Sequence, residues 1–273
     1  MKITKVYGVA FSPVDGTQKV VCHLAEKIAR KLGAEFEEKS WTLPQEREVQ
    51  LEFAEGELVV VGSPTYAGKL PNKILPDFQS KLKGNGALAV PVVTFGNRSF
   101  DNSLAELHDT LAENGFVPVA AAAVVCQHVF SSSLAVGRPN EDDMDAMNRL
   151  AEGVSMKVQY GDPATFGIKV EGDSKAPYYV PKGVDGKPAK FLKAKPQTKE
   201  DLCNGCGICA QSCPMGSISV DNPLEVTGIC IKCQACVQKC PSDAKYFDDE
   251  AFLSHVKMLE DNFQKAKENY MVL

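Results

Sequence analysis

Two stretches, Cys203–Pro214 (CNGCGICAQSCP) and Cys230–Pro241 (CIKCQACVQKCP), repeat one unit, Cys-x2-Cys-x2-Cys-x3-Cys-Pro, at an offset of 27 residues. No other feature of the 273-residue chain restricts its folding as much. Eight of the ten cysteines lie in this region; Cys22 and Cys126 stand apart. So many crowded thiols, in a chain whose opening MKITKVYGVAF lacks the apolar core and cleavage site of a signal peptide, predict metal rather than disulfides and a cytoplasmic protein. A structural zinc module uses paired Cys-x2-Cys knuckles with a long gap, which these triple runs do not match.

The spacing suits a cubane iron–sulfur cluster. Two-residue steps let three successive cysteines reach three corners of one cluster, and the fourth, followed by proline, is directed to the other cluster. This assigns Cys203, Cys206, Cys209 and Cys240 to a first [4Fe–4S] cluster. Cys213, Cys230, Cys233 and Cys236 go to a second. Gly205, Gly207, Gly216 and Gly228 are expected to bring backbone N–H groups to the sulfurs, and Ile208, Ile218 and Ile231 to keep the surroundings dry.

Upstream, the hydrophobic pattern alternates strands and helices. Residues 5–11, 34–40, 57–62, 87–95 and 116–125 read as strands; 17–32, 72–82, 101–114 and 140–154 read as helices. Val20, Leu24, Ile28 and Leu32 stripe the first helix, Gly33 closes it, and Asn140 caps the last. Such alternation predicts an α/β fold with a doubly wound parallel sheet of five strands. Pro91, inside the fourth strand, conflicts with a central position because proline cannot donate to a ladder; Pro118 suits a fifth strand at the sheet edge.

Residues 159–196 are rich in proline, glycine and lysine and read as a connector without its own core, between a sheet domain at 1–158 and an α+β two-cluster domain at 197–248. Residues 249–273 read as a docking helix, with Phe252, Val256, Leu259 and Phe263 on one stripe. A net charge of −5 gives no sign of a nucleic-acid or membrane-surface protein, and no apolar run is long enough to span a bilayer.

The cysteine region resembles bacterial two-cluster ferredoxins. The segments GSPTYAGKLPNKI (62–74) and FGNRSFDNSL (95–104) resemble the flavin loops of flavodoxins, and the order of parts resembles flavodoxin–ferredoxin fusion proteins of anaerobes. That resemblance implies FMN, with Ser12, Thr17 and Gln18 at its phosphate. Pro64, Thr65, Tyr66, Ala67 and Gly68 would lie on one side of its ring, and Phe95, Gly96, Asn97, Arg98, Phe100 and Asp101 on the other. The phosphate loop departs from the family pattern at Val14 and Asp15, where a hydroxyl and a glycine are expected. A carboxylate about 4 Å from a phosphate charge costs on the order of 4 kcal/mol.

No residue stands out as catalytic. His128, after the fifth strand, reads as a hydrogen-bonded loop residue near the ligand edge; His23, His108 and His255 read as bland helical residues, and Cys22 and Cys126 as small buried apolar groups. The expected function is electron transfer among two clusters, FMN and redox partner proteins. The alternatives are a flavin reductase of a small molecule fed by the clusters, and a two-cluster ferredoxin whose sheet domain has lost FMN and serves for docking.

Overall fold

The computed structural model describes residues 1–273. Five parallel strands form the main sheet: β1 (Lys5–Ala10), β2 (Glu35–Ser40), β3 (Glu57–Pro64), β4 (Leu88–Phe95) and β5 (Ala121–Val125). Their spatial order is β2-β1-β3-β4-β5. This is the flavodoxin-like order, and it reverses direction between β1 and β3. Helices α1 (Gly16–Leu32), α2 (Leu75–Lys81), α3 (Ser103–Glu113) and α4 (Glu141–Tyr160) cover the faces.

Successive side chains alternate across a strand, so each strand feeds two cores. Val6 and Ala10 of β1 join Leu58 and Val60 of β3 under α1 and α4. Val9 and Phe11 join Val59, Val61 and Phe95 under α2 and α3. Gly62 lets α1 lie close: a Cβ there would stand 2.2 Å from the Val21 side chain. Gly33 ends α1 at φ 64, and Asn140 caps α4 by accepting from the Asp143 N–H at 3.1 Å.

The Pro91 conflict resolves in the β4 register. The Ala89 and Phe95 carbonyls accept from Val119 and Cys126, on the β5 side. Alternate residues of a strand share a side, so Pro91 turns its missing donor that way too. There the neighbouring strand is broken: Val117–Pro118 pairs with Leu88–Ala89, and β5 resumes pairing only at Val92. The expected strand at 116–125 is therefore two pieces, and the proline sits at their gap.

Two expectations for the chain end are corrected. Helix α7 (Glu250–Asn262) stops well before residue 273, and strand β8 (Tyr270–Val272) follows it. β8 pairs antiparallel with β5, so β5 is not the sheet edge. The Phe252 ring of α7 lies 4.9 Å from Phe130, 4.9 Å from Phe247 and 5.5 Å from Phe191, which ties α7 to the sheet end, the cysteine region and the connector. His255, expected to be bland, is buried and hydrogen-bonds through Nδ1 to the Lys182 carbonyl at 2.8 Å. No helix is long and apolar enough to cross a membrane.

Candidate functional site: the cysteine module and the sheet edge

The sequence repeat becomes a structural one. Strands β6 (Gln197–Thr198) and β7 (Lys245–Tyr246) pair antiparallel, and helices α5 (Ile208–Gln211) and α6 (Ala235–Gln238) sit 27 residues apart. Left-handed backbone recurs at the same offset: Gly205 and Lys232 (φ 71 and 58), Gly207 and Gln234 (71 and 65), Gly216 and Asp243 (58 and 50). The first half uses glycine; the second holds side chains in a conformation that costs non-glycine residues about 1–2 kcal/mol. Both halves turn a backbone N–H onto their fourth cysteine, Ser217 N to Cys213 Sγ and Ala244 N to Cys240 Sγ, each at 3.3 Å.

A cavity is lined by Cys213, Cys230, Cys233 and Cys236, walled by Ile218, Ile229, Ile231, Val226, Met215 and Phe247. Cys213 thus joins the three cysteines of the other repeat, the set that the spacing requires. Cys209 and Cys240 neighbour each other, and Cys209 and Cys236 meet with Ile218 in a small core between the halves. No three ligating side chains converge closely enough for a single metal ion. Four thiols around an apolar cavity, with N–H groups on the sulfurs, fit a [4Fe–4S] cluster. Ile208 departs from its expected role, being 37% exposed.

Cations missed by the sequence reading surround this module. Lys232 is buried, its Nζ donating to the Leu192 carbonyl at 2.6 Å, and burial lowers its pKa. Lys245 Nζ donates to Thr198 Oγ1 at 2.7 Å and to the Pro223 carbonyl at 2.6 Å. Positive charge held here offsets the negative charge of loaded clusters.

The module sits on the carboxyl edge of the sheet. Arg47, buried in the turn Pro44–Arg47, donates to the Pro214 carbonyl at 2.8 Å and pairs with Asp77 at 2.8 Å. Met215 and Ile231 pack against the sheet core under α2 and α3. Lys239 pairs with Asp15 at 3.0 Å, and Gln238 reaches the Val129 carbonyl at 3.3 Å. Nothing in the local pattern around Arg47 marked it; its role comes from a partner 167 residues away.

The loops expected to hold FMN are engaged by the chain itself. In the first loop Asp15 stands at the N-cap of α1 in a left-handed turn at φ 65, its carbonyl accepting the Lys19 N–H at 2.9 Å and its side chain making no capping bond. Ser12 Oγ accepts the Gln18 N–H at 2.9 Å, the Ser12 N–H bonds Thr42 at 2.8 Å, and the Gln18 amide reaches Glu38 at 2.6 Å. The Thr17 hydroxyl turns inward to Thr94, at 2.7 Å.

In the second loop Pro64 ends β3, and the Thr65 hydroxyl bonds Ser103 at 2.7 Å. Tyr66 faces the cysteine module: burial first, then the neighbouring Cys233 and Cys230, hold its phenol well above the usual range. The Ala67 carbonyl accepts from Tyr179 of the connector at 2.8 Å, and Gly68 lies against Asp101. Lys69, paired with buried Glu106 at 3.0 Å, holds the Ala176 carbonyl at 3.0 Å. The connector is thus a strap across this edge, not a solvated linker.

In the third loop Phe100 lies between Phe95 (5.4 Å) and Tyr270 of β8 (5.5 Å). Arg98 pairs with Asp101 and covers the Tyr179 ring at 4.0 Å. Asn97 holds the chain end with three bonds: to the Phe263 carbonyl at 2.5 Å, the Lys265 carbonyl at 3.0 Å and the Lys267 N–H at 3.0 Å. His128 packs over Gly96, where a Cβ would meet its ring at 2.4 Å. As arranged, most of the groups expected to face FMN already have partners within the chain: the Ser12, Thr17 and Thr65 hydroxyls, the Gln18 and Asn97 amides, and the Phe95 and Phe100 rings.

Residues 202–245 match the family described as a 4Fe-4S dicluster domain. No curated protein matches the chain. Among solved structures, it is similar to a flavodoxin from the domain Archaea (16% identity over 57% of this chain and 100% of that one, TM-score 0.41). It is also similar to the Streptococcus pneumoniae TIGR4 flavodoxin (18%, 57% and 99%, 0.38) and to the apo form of the NADH:FMN oxidoreductase EmoB (13%, 60% and 95%, 0.39). At these identities and TM-scores the likeness says nothing of function. The strand order and the family match together define an iron–sulfur redox protein: a 4Fe–4S module carried on a flavodoxin-like α/β sheet.

Proposed function

We propose that the chain is a one-electron carrier whose two [4Fe–4S] clusters do the redox work while the flavodoxin-like sheet serves as the platform to which they are docked. The observation that carries this reading is the closed carboxyl edge, where Arg47, Asp15, Asn97 and Lys69 bind the module, the tail and the strap. Cys203, Cys206, Cys209 and Cys240 hold one cluster; Cys213, Cys230, Cys233 and Cys236 hold the other. The protein chain orients the clusters, excludes water from the inner one and donates N–H groups to its sulfurs; the clusters supply the one-electron chemistry. The carrier passes electrons to and from partner redox proteins.

A second reading keeps FMN as an electron partner of the clusters, because the strand order is one that places a flavin at the β1/β3 switch point. One preparation separates the two. Protein purified without oxygen is analysed for iron and sulfide, and for flavin after acid extraction, before and after incubation with excess FMN. The platform reading expects about eight iron atoms per chain, the content of two [4Fe–4S] clusters, and no retained flavin. Near-stoichiometric FMN would overturn it in favour of the second reading.

A further inference from the structure

The two cysteine sets differ in where they face. In the inner set Cys233 and Cys236 are buried, and Cys213 and Cys230 half-buried. The wall of their cavity includes Met215 and Ile231, which pack on the sheet core. In the outer set Cys206 is exposed and only Cys209 is buried. Gly205, beside Cys206, has open space where a Cβ would stand. Leu202 and Ile208 flank this opening at 43% and 37% exposure.

Charge is arranged around the same opening. The Lys199 N–H donates to the Ala244 carbonyl at 2.8 Å, and the Asp243 N–H to the Cys240 carbonyl at 3.3 Å. The first of these bonds brings the stretch Glu200–Cys203 beside the stretch Cys240–Ala244, and the second is a turn within the latter. Glu200, Asp201 and Asp243 are exposed there alongside Lys199, so the opening carries net negative charge next to the exposed Leu202 and Ile208.

We propose that the cluster of Cys203, Cys206, Cys209 and Cys240 is the port through which all electrons enter and leave, and that its partner is a one-electron redox protein presenting a basic rim around an apolar spot. The inner cluster then exchanges only with the outer one. This deepens the carrier reading and rests on it. Each transfer moves one electron and no proton: the outer cluster passes from the 1+ to the 2+ state, and the acceptor centre gains the electron. Rim charges of this kind steer encounter and set the on-rate more than the strength of the complex.

The test uses full-length protein reduced with dithionite, freed of excess reductant, and mixed by stopped flow at low salt with basic cytochrome c as acceptor. The port variant is E200K/D201K/D243N. The comparator, E52K/E55K/E113Q, makes the same change in net charge at exposed residues near the amino edge of the sheet. The port variant is expected to react about tenfold more slowly and to lose its salt dependence, while the comparator stays near wild type. Leu202→Gln, which alters no charge, is expected to slow the reaction severalfold. Equal slowing by port variant and comparator, or by neither, in proteins with full iron and sulfide would overturn the port. Absence of iron and sulfide from the wild-type protein would instead overturn the carrier reading beneath it.

Discussion

At the scale of single residues, His128 shows what position does to an ordinary side chain. Its ring packs over Gly96 and against Phe130 at 5.2 Å, and its Nδ1 accepts the Phe130 N–H at 3.2 Å. Burial first, then the nearby His255 and Arg98, lowers its pKa from 6.5 to about 4. Below pH 6.5 the unfolded chain takes up a proton that folded His128 refuses until about pH 4. Its stabilising contribution is therefore present above that window and lost as pH falls through it, by about 3 kcal/mol. His128→Asn should flatten the stability profile over this range in urea titrations; an unchanged slope would mean that the ring ionises freely in the folded state. Asn97 is a second such residue, in left-handed backbone at φ 66 with three bonds to the tail. Asn97→Ala should cost about 2–3 kcal/mol in urea unfolding, and a loss under about 0.5 kcal/mol would show that the tail does not depend on it. Of the two isolated thiols, Cys126 is buried as expected, whereas Cys22 is half-buried and accepts from the Gln18 amide at 3.3 Å; burial first pushes both up to about 12.

At the scale of elements, α7 binds the parts together through one side chain. Phe252 is 4% exposed and meets aromatic rings from three other segments. Phe252→Ala should cost about 3–5 kcal/mol and, more tellingly, speed hydrogen exchange in the connector and the cysteine module before the sheet core. Uniform acceleration across the molecule would show that α7 is simply part of one cooperative unit. The stripe that predicted a helix was legible because its apolar residues recur at helical spacing. Its stopping point was not, since residues 263–269 are held by Asn97 and Asn269, the latter accepting the Val125 N–H at 2.9 Å, rather than by any local helix breaker.

At the scale of the whole molecule, metal and fold are linked unevenly. The cysteine module has a core of only four buried residues, two of them the cluster cysteines Cys209 and Cys236, whereas the two sheet cores hold 26 and 22. Clusters are therefore expected to hold the module together, as metals do in other small domains with little core of their own. Chelation of iron under reducing conditions should make residues 197–248 sensitive to protease while the sheet persists. Trp41, the single tryptophan, reports on the sheet: it is fully buried, 4.7 Å from the Phe78 ring. Its emission should remain unshifted as iron is lost, and a red shift in step with iron loss would show that the sheet needs its clusters.

The sequence by itself determined the local elements and the ligand chemistry. Helical and strand periodicity record burial on one face or two, and a four-cysteine repeat records the geometry of the group it holds, so both are written in short windows. It also contained the warning at Val14 and Asp15. Tertiary structure alone decided which surface the module covers. Arg47 meeting Pro214, Asp15 meeting Lys239 and Asn97 meeting the tail each join residues more than 150 positions apart. Such pairings leave no periodic trace, because each depends on a neighbour brought near only after both parts have folded. For the same reason the edge of β5 reads as free in the sequence: the strand that covers it lies at the far end of the chain, and only the path of α7 carries it there.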